Sequence, residues 1–147
     1  MYTIEEFDKQ KTKVLKYIIY KKRSEQEIKS KFAKTIEEDM LEYIIEYLKK
    51  ANYINDKLYI EKTINNFMVL KNLSIKEIKY KLLAKGIKNN DIEDYIYNNI
   101  EELKQYEIKS AYNIICKKRM SLNEEEIKQY LLKKGYKSEN INLAMNE

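Results

Sequence analysis

The chain has no histidine, no proline and no tryptophan, and only one cysteine and two glycines among its 147 residues. Without histidine it lacks a common zinc ligand and the usual general base for a serine or cysteine nucleophile. The single cysteine, Cys116, excludes a disulfide within the chain, and its place in the apolar run 114–116 predicts a buried thiol. Two isolated glycines cannot form a glycine-rich phosphate loop, so ATP hydrolysis by this chain is not expected.

The lack of proline and the scarcity of glycine leave few residues that interrupt helices or support hairpins. Apolar residues recur at helical spacing, for example at Val14, Leu15, Ile18 and Ile19. No apolar run approaches the roughly 20 residues that span a bilayer, and the N-terminal segment lacks the pattern of a secretory signal. We therefore predict an all-α protein that is cytoplasmic and does not enter a membrane.

One sequence phrase occurs three times: a Ser or Asn, two further residues and then Glu-Ile-Lys, beginning at Ser24, Ser74 and Asn123. The first side chain can accept from a free N–H of a first helical turn while the Glu reaches back, so each copy predicts a helix start. The last two copies lead to Lys-Gly, at Gly86 and Gly135. Glycine after a last-turn lysine predicts a helix end.

A repeat of this length predicts a helical repeat protein. We expect three tandem units of three helices each, forming an elongated, curved array that is right- or left-handed. The units cover residues 1–52, 53–104 and 105–147. The third helix also recurs, as Asp-Met-Leu-Glu-Tyr-Ile from Asp39, Asp-Ile-Glu-Asp-Tyr-Ile from Asp91 and Asn-Ile-Asn-Leu-Ala-Met from Asn140. In the second half of the chain, helices are expected over residues 91–103 and 107–119.

The net charge is +5, from 29 basic and 24 acidic residues. This balance suits a phosphate backbone as partner, but a lysine-rich solvated surface gives the same number. Lysines that follow the repeated Ile would be aligned by stacking: Lys29, Lys79 and Lys128. Basic clusters precede the caps of the outer units, with one lysine at the matching place in the middle unit: Lys21, Lys22, Arg23, Lys117, Lys118, Arg119 and Lys71. We predict these ten residues as contacts to DNA or to a filament, although cations also complement helix C-termini.

Tyrosine is abundant, with 14 copies, and aromatic rings beside basic residues can stack on unpaired bases. The apolar stripes predict four tyrosines in the core, where the ring is buried and the hydroxyl reaches a polar edge: Tyr17, Tyr43, Tyr47 and Tyr95. Four others lie nearer predicted helix ends and are expected to be exposed: Tyr2, Tyr106, Tyr112 and Tyr136.

An enzyme would need acids or nucleophiles brought together, and three aspartates are the candidates. Each has a simpler place, since Asp56 belongs to a turn, Asp91 to a helix start and Asp94 to a first turn where an acid complements the dipole. We therefore predict a protein without catalytic activity, metal or cofactor.

The link between the first two units carries the strongest resemblance to a known family. Together with the cap and Lys-Gly phrases, the stretch 53–59, Tyr-Ile-Asn-Asp-Lys-Leu-Tyr, resembles the RecX family, small regulators of bacterial RecA recombinase. The resemblance covers about residues 12–147. Asn52 stands where the family usually has glycine, a mild change because Asn also accepts a positive φ. Ile60 stands where the family usually has a small alanine, which implies slightly different local packing.

The resemblance implies a curved array of three-helix repeats that lodges in the groove of a RecA–DNA filament. There it would block filament growth or promote disassembly, lowering strand exchange and ATP hydrolysis and influencing DNA repair, recombination and the SOS response. The implied partners are the RecA filament and the single- or double-stranded DNA within it, and the chain is expected to be a monomer. Two alternatives stay open: a helical-repeat protein that binds DNA or RNA directly without RecA, and a protein–protein scaffold with incidental charge.

Overall fold

A computed structural model describes residues 2–147, and in that span the chain forms nine α-helices and no strand. The helices are α1 (Ile4–Tyr20), α2 (Glu25–Phe32), α3 (Glu38–Lys50), α4 (Asp56–Leu70), α5 (Ile75–Ala84), α6 (Asn89–Asn98), α7 (Ile100–Lys118), α8 (Glu124–Lys133) and α9 (Ser138–Met145). The all-α prediction is confirmed. The elongated repeat array and the unit boundaries after residues 52 and 104 stay predictions, and the second of these boundaries lies inside α7.

Helices α2, α5 and α8 each begin with the predicted capping box. In α2, the Ser24 hydroxyl accepts from the Glu27 backbone N–H at 3.1 Å, and a Glu27 carboxylate oxygen accepts from the Ser24 N–H at 3.0 Å. Gly86 and Gly135 follow α5 and α8 with φ of +83° and +96°, as a glycine stop requires. Asn52, after α3, has φ of +64°, so it takes the conformation for which the family usually has glycine.

The join between α6 and α7 differs from the prediction. The expected helices over 91–103 and 107–119 are wrong at their junction, because α6 ends at Asn98 and α7 begins at Ile100. Asn99 lies between them with φ of −125°, and its side-chain amide donates to the Tyr95 carbonyl at 2.9 Å. An Asn side chain that bonds backbone in this way competes with helical hydrogen bonds and permits a sharp change of direction at one residue.

Buried side chains form three hydrophobic clusters along the chain. The first cluster draws on α1, α2 and α3, the second on α4, α5 and α6 with two residues of α7, and the third on α7, α8 and α9. On α3 the core is filled by Leu41, Ile44, Ile45 and Leu48. Two expected core tyrosines were predicted wrongly, because Tyr43 and Tyr47 flank this stripe and are 70% and 48% exposed. The other two, Tyr17 and Tyr95, are half-buried.

Two of the tyrosines expected at the surface are instead buried. The Tyr106 hydroxyl donates to the Lys71 carbonyl at 2.7 Å and accepts from the Leu73 N–H at 2.9 Å. The Tyr136 hydroxyl shares a hydrogen bond of 2.7 Å with the Ser110 hydroxyl, and burial raises the pKa of Tyr136. A buried phenol is tolerated where its hydroxyl has a partner, and these partners come from distant parts of the sequence. The remaining two, Tyr2 and Tyr112, are half-buried.

The predicted burial of Cys116 is also wrong, since its side chain is exposed. Ile115 occupies the core position on α7 and is fully buried. The next residue along a helix is rotated by about 100°, so it faces away from the core even within an apolar run.

The capped helices are joined end to end by serine hydroxyls. Ser24 Oγ donates to the carbonyl of Lys85 after α5 at 2.9 Å, and Ser74 Oγ donates to the carbonyl of Lys134 after α8 at 2.8 Å. The N-terminus of α2 therefore meets the C-terminus of α5, and the N-terminus of α5 meets the C-terminus of α8. In this arrangement the positive end of one helix dipole lies beside the negative end of the next.

Substitution of Ser74 should cost more than the loss of an ordinary cap. Ser74→Ala leaves both the Glu77 N–H and the Lys134 carbonyl without their partner at a fully buried site, so we expect a loss of about 2 kcal/mol or more. Asn123 caps α8 in the same way but is exposed, so Asn123→Ala should cost about 1 kcal/mol. Urea unfolding of both variants tests this difference. Equal losses would contradict a junction role for the Ser74 hydroxyl.

Candidate nucleic-acid interface

The C-terminal end of α1 and the side of α4 enclose a groove that we call the first lysine groove. No acidic residue lines it. Its lining includes four lysines and two aromatic residues: Lys21, Lys22, Lys62, Lys85, Tyr59 and Phe67. Lys21 is the C-cap of α1 and has extended backbone, so the chain leaves the helix at this point. The hydrogen bond from Ser24 to the Lys85 carbonyl brings the end of α5 alongside.

The ammonium groups of the first lysine groove are close enough to affect each other. Contact with Lys62, burial and the Lys62 charge together lower the pKa of Lys22. Two like charges at short range disfavour each other's protonation, and an anion placed between them would relieve that repulsion. The geometry therefore suits a phosphate group, which accepts from several ammonium groups at once.

A second lysine groove lies between the end of α4 and the side of α7. Its lining includes Lys71 and Lys109 and no acidic residue. Lys71 is the C-cap of α4, as Lys21 is of α1, and the Asn72 side chain accepts from the Asn113 amide at 3.1 Å across the groove. The ends of α1 and α4 thus present a lysine in the same way, the first to α4 and the second to α7.

Exposed apolar side chains line the second lysine groove and directly precede Lys21 of the first in sequence. Ile19 and Tyr20 at the end of α1 are 68% and 86% exposed, and Val69 and Leu70 at the end of α4 are 82% and 76% exposed. Such residues beside lysines are typical of surfaces that contact bases or a protein partner.

The structure divides the predicted cluster of Lys21, Lys22 and Arg23. The Arg23 guanidinium lies over the Tyr17 ring, 4.3 Å from its centroid, and is half-buried. Within the described residues, its buried Nε has no hydrogen-bond partner. Arg23 therefore packs against Tyr17 of α1, whereas Lys21 and Lys22 line the groove.

The remaining predicted residues lie in other places. Lys29 forms an ion pair with Glu25 at 3.3 Å, and Lys79 forms one with Glu93. Lys128 is half-buried on α8. At the end of α7, Lys118 lies 4.6 Å from the centroid of the Tyr130 ring, and two neighbours are exposed: Lys117 and Arg119. The ten predicted residues thus do not form one patch.

Sequence reasoning missed Lys62, Lys85 and Lys109 as possible contacts. Lys85 was part of the Lys-Gly helix stop, and neither Lys62 nor Lys109 belongs to a repeated phrase. Only the packing of α4 against the end of α1, and of α7 against the end of α4, brings these lysines to the grooves.

The described residues contain no group of three or more side chains suited to hold a metal ion. Across residues 2–147, no helix combines the length and the apolar character that crossing a membrane requires.

Comparison with known proteins gives a consistent result. The chain is 32% identical over 119 residues to the regulatory protein RecX of Clostridium perfringens strain SM101, a match covering 78% of this chain and 55% of that protein. It is 30% identical over 115 residues to RecX of Lactococcus lactis strain MG1363, covering 77% of this chain and 42% of that protein. The chain thus matches about half the length of these curated relatives. No protein-family model matches it.

Solved structures extend the likeness to nearly the whole chain. The crystal structure of RecX from Lactobacillus salivarius has a TM-score of 0.83 at 25% identity, covering 98% of this chain and 97% of that one. A second RecX crystal structure shares the fold, with a TM-score of 0.82 at 21% identity. Sequence and structure agree, and the chain belongs to the RecX family.

Proposed function

We propose that this protein binds the filament that RecA forms on DNA and inhibits the ATPase and strand-exchange activities of RecA. It would thereby influence recombination, DNA repair and the SOS response. The observation that supports the proposal is the likeness to RecX, which extends over 98% of the chain in the Lactobacillus salivarius structure. The protein would act by binding alone, as a cytoplasmic monomer without cofactor or catalytic step.

The two lysine grooves support contact with the DNA of such a filament. Both are free of acidic lining residues, and the repulsion between Lys22 and Lys62 favours an anionic ligand. Lys21, Lys22 and Lys71 are the predicted residues that we place against phosphates. At the end of α7, Lys117, Lys118 and Arg119 would offer a further basic contact. The other predicted residues lie outside the grooves and would contact the filament separately: Arg23, Lys29, Lys79 and Lys128.

The proposal predicts that substoichiometric amounts of this protein slow ATP hydrolysis by RecA on single-stranded DNA. The double variant Lys22→Gln/Lys62→Gln should inhibit several-fold more weakly. It removes two positive charges of the first lysine groove that would contact DNA phosphates. Lys133→Gln/Lys137→Gln is the matched control, since both lysines are exposed and lie outside the lysine grooves. An unchanged RecA rate with the wild-type protein would overturn the proposal. Equal inhibition by the two double variants would remove the groove from it.

A second candidate, direct binding to DNA or RNA without RecA, is favoured by the same grooves. Binding of wild type to a bare single strand, measured against salt concentration, separates the candidates. Lys22→Gln/Lys62→Gln would remove two phosphate contacts. The slope of log affinity against log salt is negative, and its magnitude should fall by roughly 1.4 in this variant, at about 0.7 per contact. Tight binding of bare DNA together with no effect on RecA would favour this second candidate.

A further inference from the structure

The third helices carry a repeated face that the lysine grooves do not use. Asp39, Glu42 and Tyr43 of α3 recur on α6 as Asp91, Asp94 and Tyr95, with the same internal spacing. Each set lines a groove of its own. We call these the acid–tyrosine faces of α3 and α6.

The acid–tyrosine face of α3 is open to solvent. Its groove is lined by three carboxylates, one lysine and two tyrosines: Asp39, Glu42, Glu46, Lys50, Tyr43 and Tyr47. Phe7 of α1 holds both tyrosine rings edge-on, with ring centroids 5.7 Å and 6.1 Å away. The rings are therefore positioned by packing although they remain exposed.

The acid–tyrosine face of α6 has the same charge composition. Three carboxylates and one lysine line its groove beside Tyr95: Glu61, Asp91, Asp94 and Lys57. Burial and the carboxylates of Glu102 and Glu61 raise the pKa of Tyr95, which is consistent with a negative surrounding. In a chain of net charge +5, two matching grooves with an excess of carboxylates are an exception to the overall balance.

Carboxylates beside aromatic rings form a binding surface for cations. A guanidinium or ammonium group can lie over the face of an aromatic ring, which attracts it electrostatically, while it donates a hydrogen bond to a carboxylate. A cation already lies over these rings within the molecule: Lys11 Nζ of α1 lies 4.5 Å from the Tyr47 centroid and 5.6 Å from the Phe7 centroid, and it pairs with Asp8 of α1 at 3.4 Å. A phosphate backbone would be repelled from the same surface.

We propose that the acid–tyrosine faces of α3 and α6 dock a segment of a protein partner that presents Lys or Arg side chains. The lysine grooves would then contact nucleic acid while the acid–tyrosine faces contact protein. Where the partner is RecA, this inference rests on the proposed function.

The test uses the full chain and a fluorescein-labelled peptide of alternating Arg and Gly residues. Fluorescence anisotropy should show binding that weakens by roughly tenfold in Glu42→Gln/Asp94→Asn, with one charge removed from each face. Glu5→Gln/Glu124→Gln is the matched control, because it removes the same charge from exposed positions on other helices. A peptide with Glu in place of Arg should not bind. Equal weakening in both double variants, or none in either, would overturn the inference.

A second readout locates the bound peptide and separates this inference from the proposed function. In NMR titrations with the Arg–Gly peptide, shifts should concentrate on α3 and α6, and shifts confined to other helices would overturn the inference. Glu42→Gln/Asp94→Asn should also lose inhibition of RecA while retaining binding to bare DNA. If wild type leaves RecA unaffected but binds the peptide through α3 and α6, the proposed function fails and the inference holds. Concentration-dependent self-association that the double variant abolishes would reassign the faces to a second copy and overturn it.

Discussion

Glu107→Gln should lower the melting temperature by roughly 6–12 °C, which corresponds to a loss of about 3 kcal/mol in a domain of this size. Glu107 lies on α7 and is fully buried. Its carboxylate accepts from the Ile75 N–H at 2.8 Å, from the Lys137 N–H at 3.4 Å and from the Asn140 side-chain amide. One side chain thus joins the starts of α5 and α9 to α7.

The charge of Glu107 is compensated by helix ends as well as by hydrogen bonds. Ile75 is the first residue of α5 and Lys137 is the N-cap of α9, so both N–H groups belong to positive dipole ends. Glutamine keeps one acceptor oxygen but places an NH2 group against a site that contains only donors. The variant therefore loses the charge and leaves a buried donor unpaired.

Glu101→Gln provides the control for this experiment, because Glu101 lies on the same helix and is exposed. Thermal unfolding followed by circular dichroism should show little change for the control. Equal melting temperatures for Glu107→Gln and wild type would show that the buried carboxylate does not hold the junction. Ligand and salt conditions must match, since binding to the folded state also shifts the melting temperature.

The features that could be predicted from the sequence are those determined within one helical turn. The capping boxes at Ser24 and Ser74 and the positive φ at Gly86 follow from residue types at fixed short spacings. The RecX family was also identified from short phrases of this kind. Local chemistry of caps and glycine stops is largely independent of what packs outside the helix.

The missed features depend on contacts between distant residues. Nothing in the local sequence distinguishes Glu107 from the exposed acids of α7, and only the packing of α5 and α9 shows its role. Tyr43 and Cys116 were misplaced because a rotation of one residue about the helix axis separates core from surface. The first lysine groove escaped prediction for the same reason, since Lys22 and Lys62 come together only through tertiary structure.

The second large effect is expected at Gly86, where α5 ends against the start of α2. Gly86 has φ of +83°, and a Cβ built there would lie 2.4 Å from the Cβ of Gln26. Gly86→Ala therefore imposes an unfavourable backbone conformation, at about 1–2 kcal/mol, and pushes two helix ends apart, at about 1–3 kcal/mol. We expect a total loss of roughly 2–5 kcal/mol by urea unfolding.

A double-mutant cycle separates the two causes. Gln26→Gly removes the side chain that the new Cβ would meet, so Gly86→Ala in that background should cost only the backbone term of about 1–2 kcal/mol. The same cost in both backgrounds would show that helix contact contributes nothing. Because Lys85 precedes Gly86 and lines the first lysine groove, separation of α2 and α5 should also displace its ammonium group from Lys22. Gly86→Ala should then weaken binding to single-stranded DNA, and Gln26→Gly should restore part of that binding.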